Sequence, residues 1–250
     1  RFPLNTNTES TLVADIAGDN IVILTTENVV IYSPNGKQLL NQPHVYAKPG
    51  ISINREKVIV FDRGGKGFML IDGDELVYEG SAENTVICAE YGSDGNYALA
   101  TYGSGATSTL SVYDKFNEIV FQWNCAHENI VSIALSDNGR YAGVGVLGAE
   151  NGELFTTVQY FGFDYKQPLN TQKIQGVTPL GLEFTKFNLL TLLTDKGVYT
   201  VERKAEAYKT AVSYYSSEFN SGDFSDNGRY IVTLAKYGSE NVFEINVFSK

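Results

Sequence analysis

This chain of 250 residues is poor in cysteine and histidine, and it has no long apolar run. Its two cysteines, Cys88 and Cys125, are too few for a disulfide framework, so we predict that both are free thiols. Its two histidines, His44 and His127, lie far apart in predicted linkers, which argues against a histidine-based triad or zinc site. No apolar run reaches the ~20 residues of a transmembrane helix, so we expect no membrane insertion by this segment.

Basic residues are also scarce relative to acidic ones. The chain carries 19 Lys and Arg against 29 Asp and Glu, a net charge of −10. A charge of this sign repels phosphate backbones and anionic lipid surfaces. Nucleic acid is therefore excluded as an expected partner.

Tyrosine, phenylalanine and glycine are abundant, as expected for strands and tight turns, and one six-residue segment recurs. Ser136–Tyr141 is repeated identically as Ser225–Tyr230, and Ser93–Tyr97 is a looser copy. Successive copies lie 44 and 89 residues apart, so one degenerate copy falls between the last two. Continuing this spacing towards the N-terminus adds two earlier copies, which gives six repeats of ~43 residues, the size of a four-stranded propeller blade.

The predicted fold is therefore all-β, a six-bladed β-propeller of four-stranded antiparallel blades forming one domain over residues 1–250. The predicted blades are 11–45, 46–82, 83–127, 128–173, 174–210 and 211–250. The last blade lacks a fourth strand of its own, so we expect residues 1–6, with Arg1–Asn5 as the strand, to complete it. Such closure would remove exposed strand edges, and we expect a monomer.

Several repeated features are expected to belong to the scaffold. Asn-Gly and Asp-Gly pairs suit tight hairpin turns because Gly and Asn tolerate positive φ. Buried aromatic residues are expected to pack between blades; they are Phe61, Tyr97, Tyr141, Phe184, Phe224 and Tyr230. Third strands are predicted to end at Tyr32, Ile71, Tyr113, Phe163, Val201 and Phe248.

One candidate site consists of the loops between second and third strands, which gather on one face of a propeller. Tyrosine beside glycine and serine supplies contact area at low entropic cost. The predicted partner or ligand face contains Arg63, Lys66, Tyr102, Glu150, Tyr237 and Glu240.

A second candidate site is a set of acidic residues in first strands, which line the central channel of a propeller. Aligned repeats place an acidic residue at the same first-strand position in four blades, at Asp15, Glu90, Glu183 and Asp223, while Ser52 and Ala134 occupy it in blades two and four. Three interpretations remain open: hydrogen bonds to neighbouring backbone or water, a Ca²⁺ site, or a general acid and base. No catalytic residue, metal ligand or cofactor is assigned from the sequence.

The segment Leu110–Asp114 resembles the third-strand signature of WD-repeat propellers, with Tyr113 where that family usually has Trp. Taken together, the repeats resemble the broad WD-repeat-like and quinoprotein-like propeller superfamily. The tryptophan docking motifs of quinoproteins are absent, which argues against a quinone cofactor. The chain is also similar to an uncharacterised bacterial propeller family in which a membrane-spanning helix precedes the propeller. That resemblance implies an extracytoplasmic domain tethered to the cell membrane by a segment outside this chain.

The sequence thus favours a non-catalytic binding or scaffolding domain that engages a protein or glycan through the loop face. The alternative is a carbohydrate-active enzyme, a glycosidase or lyase, that uses the channel carboxylates.

Overall fold

The computed structural model describes residues 10–186, 189–204, 207–225, 229–235 and 243–248. These residues form 23 strands and no helix, so no described segment could cross a membrane as a helix. The strands form six antiparallel sheets, and the fold is a six-bladed β-propeller, as predicted. Five sheets have four strands, and the last has three among the described residues. The predicted pairing of Arg1–Asn5 with that last blade lies outside the described residues.

The chain divides into two compact units, Arg1–Ala126 and His127–Lys250, which are described separately. The first unit contains blades one to three. Blade one comprises β1 (Thr11–Ala17), β2 (Asn20–Thr25), β3 (Asn28–Tyr32) and β4 (Gln38–Pro43). Blade two comprises β5 (Pro49–Asn54), β6 (Lys57–Asp62), β7 (Gly67–Asp72) and β8 (Glu75–Ser81). Blade three comprises β9 (Val86–Tyr91), β10 (Tyr97–Tyr102), β11 (Ser108–Tyr113) and β12 (Ile119–Cys125).

The second unit contains blades four to six. Blade four comprises β13 (Asn129–Leu135), β14 (Tyr141–Glu150), β15 (Glu153–Gly162) and β16 (Asn170–Gln175). Blade five comprises β17 (Pro179–Lys186), β18 (Leu189–Thr194), β19 (Gly197–Lys204) and β20 (Ala207–Tyr214). Blade six comprises β21 (Phe219–Ser225), β22 (Arg229–Ala235) and β23 (Phe243–Phe248). The outer strands β16 and β20 run past the predicted blade boundaries at 173 and 210, because blades four and five have long third strands.

Burial follows the position of each strand in its blade. The second strands β6 and β18 are nearly continuous apolar runs that are buried on both faces. The outer strand β8 instead alternates between exposed and half-buried residues, since only one of its faces is covered. Apolar side chains of neighbouring blades form shared cores, which in the first unit include Leu24 with Val60, and Phe68 with Tyr97. Blades are therefore held together by apolar packing between adjacent sheets.

The repeated turns have the structural role that the sequence predicts. Gly139 has a φ of 63° and donates its backbone N–H to the Ser136 carbonyl at 2.9 Å. The fully buried Ser136 hydroxyl bonds to the Asn138 side chain at 2.8 Å and accepts the Tyr141 N–H at 3.0 Å. The second copy of this turn includes residues 226–228, which lie outside the described part of the chain.

In blades two, three, five and six, a main-chain hydrogen bond joins the loop after the second strand to the connector that precedes the blade. The donor N–H lies at or just after the end of the second strand, and the acceptor is a connector carbonyl. This bond joins Arg63 to Lys48 (2.9 Å), Tyr102 to Thr85 (2.9 Å), Asp195 to Thr178 (3.2 Å) and Ala235 to Glu218 (2.8 Å). We call these four bonds the connector bonds; they hold one face of each unit in a fixed backbone geometry.

An aromatic cluster joins blades four and five in the second unit. The ring of Tyr160 is 5.4 Å from that of Phe184 and 5.5 Å from that of Tyr208, both edge to face. Arg203 donates to the Tyr141 hydroxyl, and its guanidinium carbon lies 4.7 Å from the centre of the Tyr141 ring. The predicted inter-blade role of Tyr141 and Phe184 is consistent with this packing.

Candidate functional site

Three of the predicted loop-face residues lie on one surface of the first unit. Arg63 follows β6, Lys66 precedes β7, and Tyr102 ends β10, so they come from blades two and three. All three side chains are exposed, and Tyr102 retains 52% of its accessible surface. We call this set the Arg63 surface.

The connector between blades two and three holds the Arg63 surface together. The Val86 N–H donates to the Gly65 carbonyl at 2.8 Å, and the Gly64 N–H donates back to the Val86 carbonyl at 3.0 Å. The Ala82 N–H donates to the Lys66 carbonyl at 2.8 Å, while Thr85 accepts the connector bond from Tyr102. Backbone hydrogen bonds therefore set most of the spacing between the two loops.

The two cations of the Arg63 surface lack acidic partners in the part of the chain that the structure describes. The Arg63 guanidinium carbon lies 6.0 Å from the centre of the Phe61 ring, and the Lys66 ammonium donates to the Glu83 backbone carbonyl at 2.7 Å. Neither is within ion-pair distance of a described carboxylate. On a chain with a net charge of −10, such cations are available to an external anion.

A half-buried carboxyl group on the first strand of blade three is hydrogen-bonded to the first strand of blade two. The Ser52 hydroxyl, on β5, donates to the Glu90 carboxyl oxygen Oε2, on β9, at 2.5 Å. Burial raises the pKa of Glu90 to about 8, and the hydrogen bond from Ser52 opposes the rise. Glu90 is therefore mostly protonated at neutral pH. No second described carboxylate is among the groups that shift its pKa.

Both cysteines are free thiols, as predicted, and Cys88 lies beside Glu90. Burial, with a smaller contribution from Glu90, raises the pKa of the Cys88 thiol to about 12, while the Arg63 guanidinium opposes the shift. These couplings place Arg63, Cys88 and Glu90 in one neighbourhood. The high pKa leaves almost no thiolate at neutral pH.

We therefore expect the native chain to react very slowly with Ellman's reagent at pH 7.5, and to release about two equivalents once unfolded in urea. A Ser104→Cys variant is the control, because Ser104 is exposed and would add one fast-reacting thiol. Native wild-type protein that reacts as fast as this variant would show that the thiols are accessible and ionised.

The remaining predicted channel carboxylates do not form a described cluster. Asp15 and Asp223 are exposed, and each accepts the backbone N–H of the next residue, Ile16 at 2.7 Å and Phe224 at 2.8 Å. Glu183 is half-buried in β17. Within the described ranges, no three His, Cys, Asp or Glu side chains could together hold a metal ion. The contacts of Asp15 and Asp223 are thus consistent with the first of the three interpretations, hydrogen bonds to the neighbouring backbone.

The other predicted face residues lie elsewhere. Glu150 belongs to the second unit, at the tip of the β14–β15 hairpin, and forms an exposed ion pair with Lys173 at 2.6 Å. That ammonium lowers the pKa of Glu150. Tyr237 and Glu240 lie outside the described residues.

Sequence reasoning missed the bond between Ser52 and Glu90, although both occupy the same aligned position of neighbouring repeats. It also missed the burial of His44, whose ring stacks on Tyr46 with centroids 4.9 Å apart. His127, in contrast, is exposed, as expected of a connector residue. The repeat alignment could have indicated the contact between Ser52 and Glu90, since equivalent positions of adjacent first strands are neighbours in a propeller.

Comparison with solved structures places the fold in the WD40-like class of β-propellers. The chain is similar to the Neurospora crassa Pan2 WD40 domain, with a TM-score of 0.59 at 13% identity, covering 89% of this chain and 71% of that one. It is also similar to Kluyveromyces lactis Hsv2p, with a TM-score of 0.62 at 11% identity, covering 96% and 85%. At these identities the likeness shows the fold alone.

The chain belongs to the family of unknown function DUF5711, whose profile matches residues 4–250. A comparison with curated proteins found no match.

Proposed function

We propose that this chain is a non-catalytic binding domain whose Arg63 surface binds a carboxylate-bearing segment of a protein partner. The observation that carries the proposal is the pair of cations, Arg63 and Lys66, that have no described acidic partner beside the exposed ring of Tyr102. A WD40-like propeller is consistent with a binding or scaffolding role.

The chemistry of this surface favours a short acidic segment. Arg63 can hold a carboxylate with two parallel hydrogen bonds, and Tyr102 offers a rigid amphipathic contact at little entropic cost. A long polyanion would also meet the net charge of −10 that the chain carries. A segment with one or two carboxylates gains the local attraction and avoids most of this repulsion.

The alternative of a carbohydrate-active enzyme has weaker support. Such an enzyme needs two carboxyl groups at a defined separation. Glu90 has the raised pKa of a general acid, but its described polar partner is the Ser52 hydroxyl. We therefore place Glu90 in the structural support beneath the Arg63 surface.

The proposed function is tested by selecting peptides from a random displayed library on the purified chain. We expect the selected peptides to be rich in Asp and Glu, and their affinity to fall about a hundredfold or more in the double variant Arg63→Glu, Lys66→Glu. The matched control is Lys37→Glu, Lys115→Glu, which makes the same charge change at exposed turns of the first unit and should retain binding.

Unchanged melting temperatures in both double variants would show that the substitutions act on binding rather than on folding. Selected peptides without acidic residues, or equal binding by the Arg63→Glu, Lys66→Glu variant, would contradict the proposal. Enrichment of uronic acid glycans on a carbohydrate array, with no acidic peptide selected, would favour a glycan as the partner instead.

The proposal includes the extracytoplasmic, membrane-tethered location that the bacterial family resemblance implies. Protease treatment of intact cells that produce the natural full-length protein tests this point, since only an outward-facing domain is cleaved while a cytoplasmic marker survives.

A further inference from the structure

A groove with a cavity volume of about 540 Å³ lies between blades four and five of the second unit. Its floor includes the buried side chains of Leu190, Leu192 and Val201. Its two walls come from the outer strands, with Ile174 on β16 and Val212 on β20. This volume lies in the range of ~300–1,000 Å³ that is typical of small-molecule sites.

The β20 wall of the groove is unusually exposed for an outer strand. In β8, the outer strand of blade two, every second residue is half-buried against its surroundings. In β20, Thr210, Val212 and Tyr214 all line the groove and all are exposed, with 42% of Val212 and 72% of Tyr214 accessible. The groove thus presents apolar surface that no described residue covers.

One end of the groove is polar: Lys196 supplies an ammonium there, and the neighbouring Asp195 carboxylate accepts the Thr178 backbone N–H at 2.7 Å. The Lys196 ammonium donates to the Gly176 backbone carbonyl and has no described carboxylate within ion-pair distance. Tyr199 and Tyr214 lie nearby, and burial raises the pKa of Tyr199 to about 12, with smaller contributions from Tyr214 and the Asp195 carboxylate. Both hydroxyl-bearing rings line the groove, in an edge-to-face arrangement with centroids 6.2 Å apart.

The second ammonium of the groove is already paired. Lys173 forms its ion pair with Glu150 at 2.6 Å, and its nitrogen lies 3.9 Å from the centre of the Phe155 ring. Lys196 is therefore the cation of the described groove that remains available. A single ammonium beside hydroxyl donors suits a head group with one negative charge.

We propose that this groove binds a small molecule with an apolar aromatic or aliphatic body and one carboxylate. The carboxylate contacts Lys196 and the Tyr214 hydroxyl, and the apolar body lies along Leu192 and Val212. The site is separate from the Arg63 surface, and the proposal does not rest on the proposed function.

The test uses 4-phenylbutanoate as the probe and 4-phenylbutanol as its uncharged counterpart, with binding followed by protein NMR. We expect the carboxylate to bind with a Kd of about 1 mM or lower, and the alcohol about tenfold more weakly. Lys196→Met should weaken the carboxylate about tenfold and leave the alcohol unchanged, while Lys196→Arg should retain binding.

Lys209→Met is the matched control, because Lys209 lies on β20 but does not line the groove. Val212→Asp should abolish binding of both probes while the protein spectrum stays folded. The proposal would be overturned if neither probe perturbs groove resonances, if both bind equally well, or if Lys196→Met and Lys209→Met have the same effect.

Discussion

Replacing Glu90 with glutamine is expected to raise the free energy of unfolding at pH 9 by about 3–5 kcal/mol. The pKa of Glu90 is about 8 in the folded chain, against an ordinary value of 4.5. Between these values the folded state holds a proton that the unfolded state has lost, so the stability of the wild type falls as pH rises. The contribution is complete below pH 4.5 and is lost as pH rises through 8.

Glutamine keeps the shape of the side chain and can still accept the hydrogen bond from Ser52, but it does not ionise. Urea denaturation at a series of pH values from 5 to 9 should therefore give a flatter curve for Glu90→Gln than for wild type. Asp15→Asn is the control, because Asp15 occupies the aligned position in blade one but is exposed. Parallel curves for wild type and Glu90→Gln would contradict the prediction.

Truncating Tyr160 to alanine is expected to destabilise the chain by about 4 kcal/mol. Tyr160 is 1% exposed and contacts the rings of Tyr141, Phe184 and Tyr208, so its loss opens a cavity between blades four and five. The Tyr160→Phe substitution should instead increase the free energy of unfolding. Among the described residues its buried hydroxyl has no hydrogen-bond partner, so removing it should stabilise the chain by up to about 1 kcal/mol.

Denaturant unfolding of both variants measures this pair of effects. Phe116→Ala is the control, since Phe116 is 72% exposed and its truncation should change stability by less than about 0.5 kcal/mol. A Tyr160→Ala variant as stable as Phe116→Ala would show that the ring does not pack as described. A strongly destabilising Tyr160→Phe would show that the hydroxyl has a partner.

The fold was predictable because its signals are local and repeated. The Asn-Gly turn of Ser136–Tyr141 predicts a hairpin from backbone sterics alone, and its recurrence sets the blade length. The apolar run of β6 likewise indicates a strand buried on both faces. Strand ends are less certain from sequence: β19 continues to Lys204, past the predicted end at Val201, because its ladder with β20 is longer than in other blades.

The candidate sites were predictable only where strand order decides them. Arg63, Lys66 and Tyr102 could be assigned to one face because each adjoins the second or third strand of its predicted blade. Loops between those strands gather on one face of a propeller. The shared hydrogen bond of Ser52 and Glu90 depends on the distance between two sheets, which the repeat alignment does not contain. The groove beside Lys196 depends on how far two outer strands diverge, and no local pattern encodes that separation.

The four connector bonds explain how such a surface could diversify during evolution. Their donors are an arginine, a tyrosine, an aspartate and an alanine: Arg63, Tyr102, Asp195 and Ala235. At Arg63, Tyr102 and Ala235 the connector bond uses the backbone N–H, so mutation of the side chain leaves that bond intact, whereas the Asp195 carboxylate also accepts the Thr178 N–H at 2.7 Å. Selection can therefore alter the chemistry displayed at the first three positions, including two that form the Arg63 surface, without rebuilding the blades beneath.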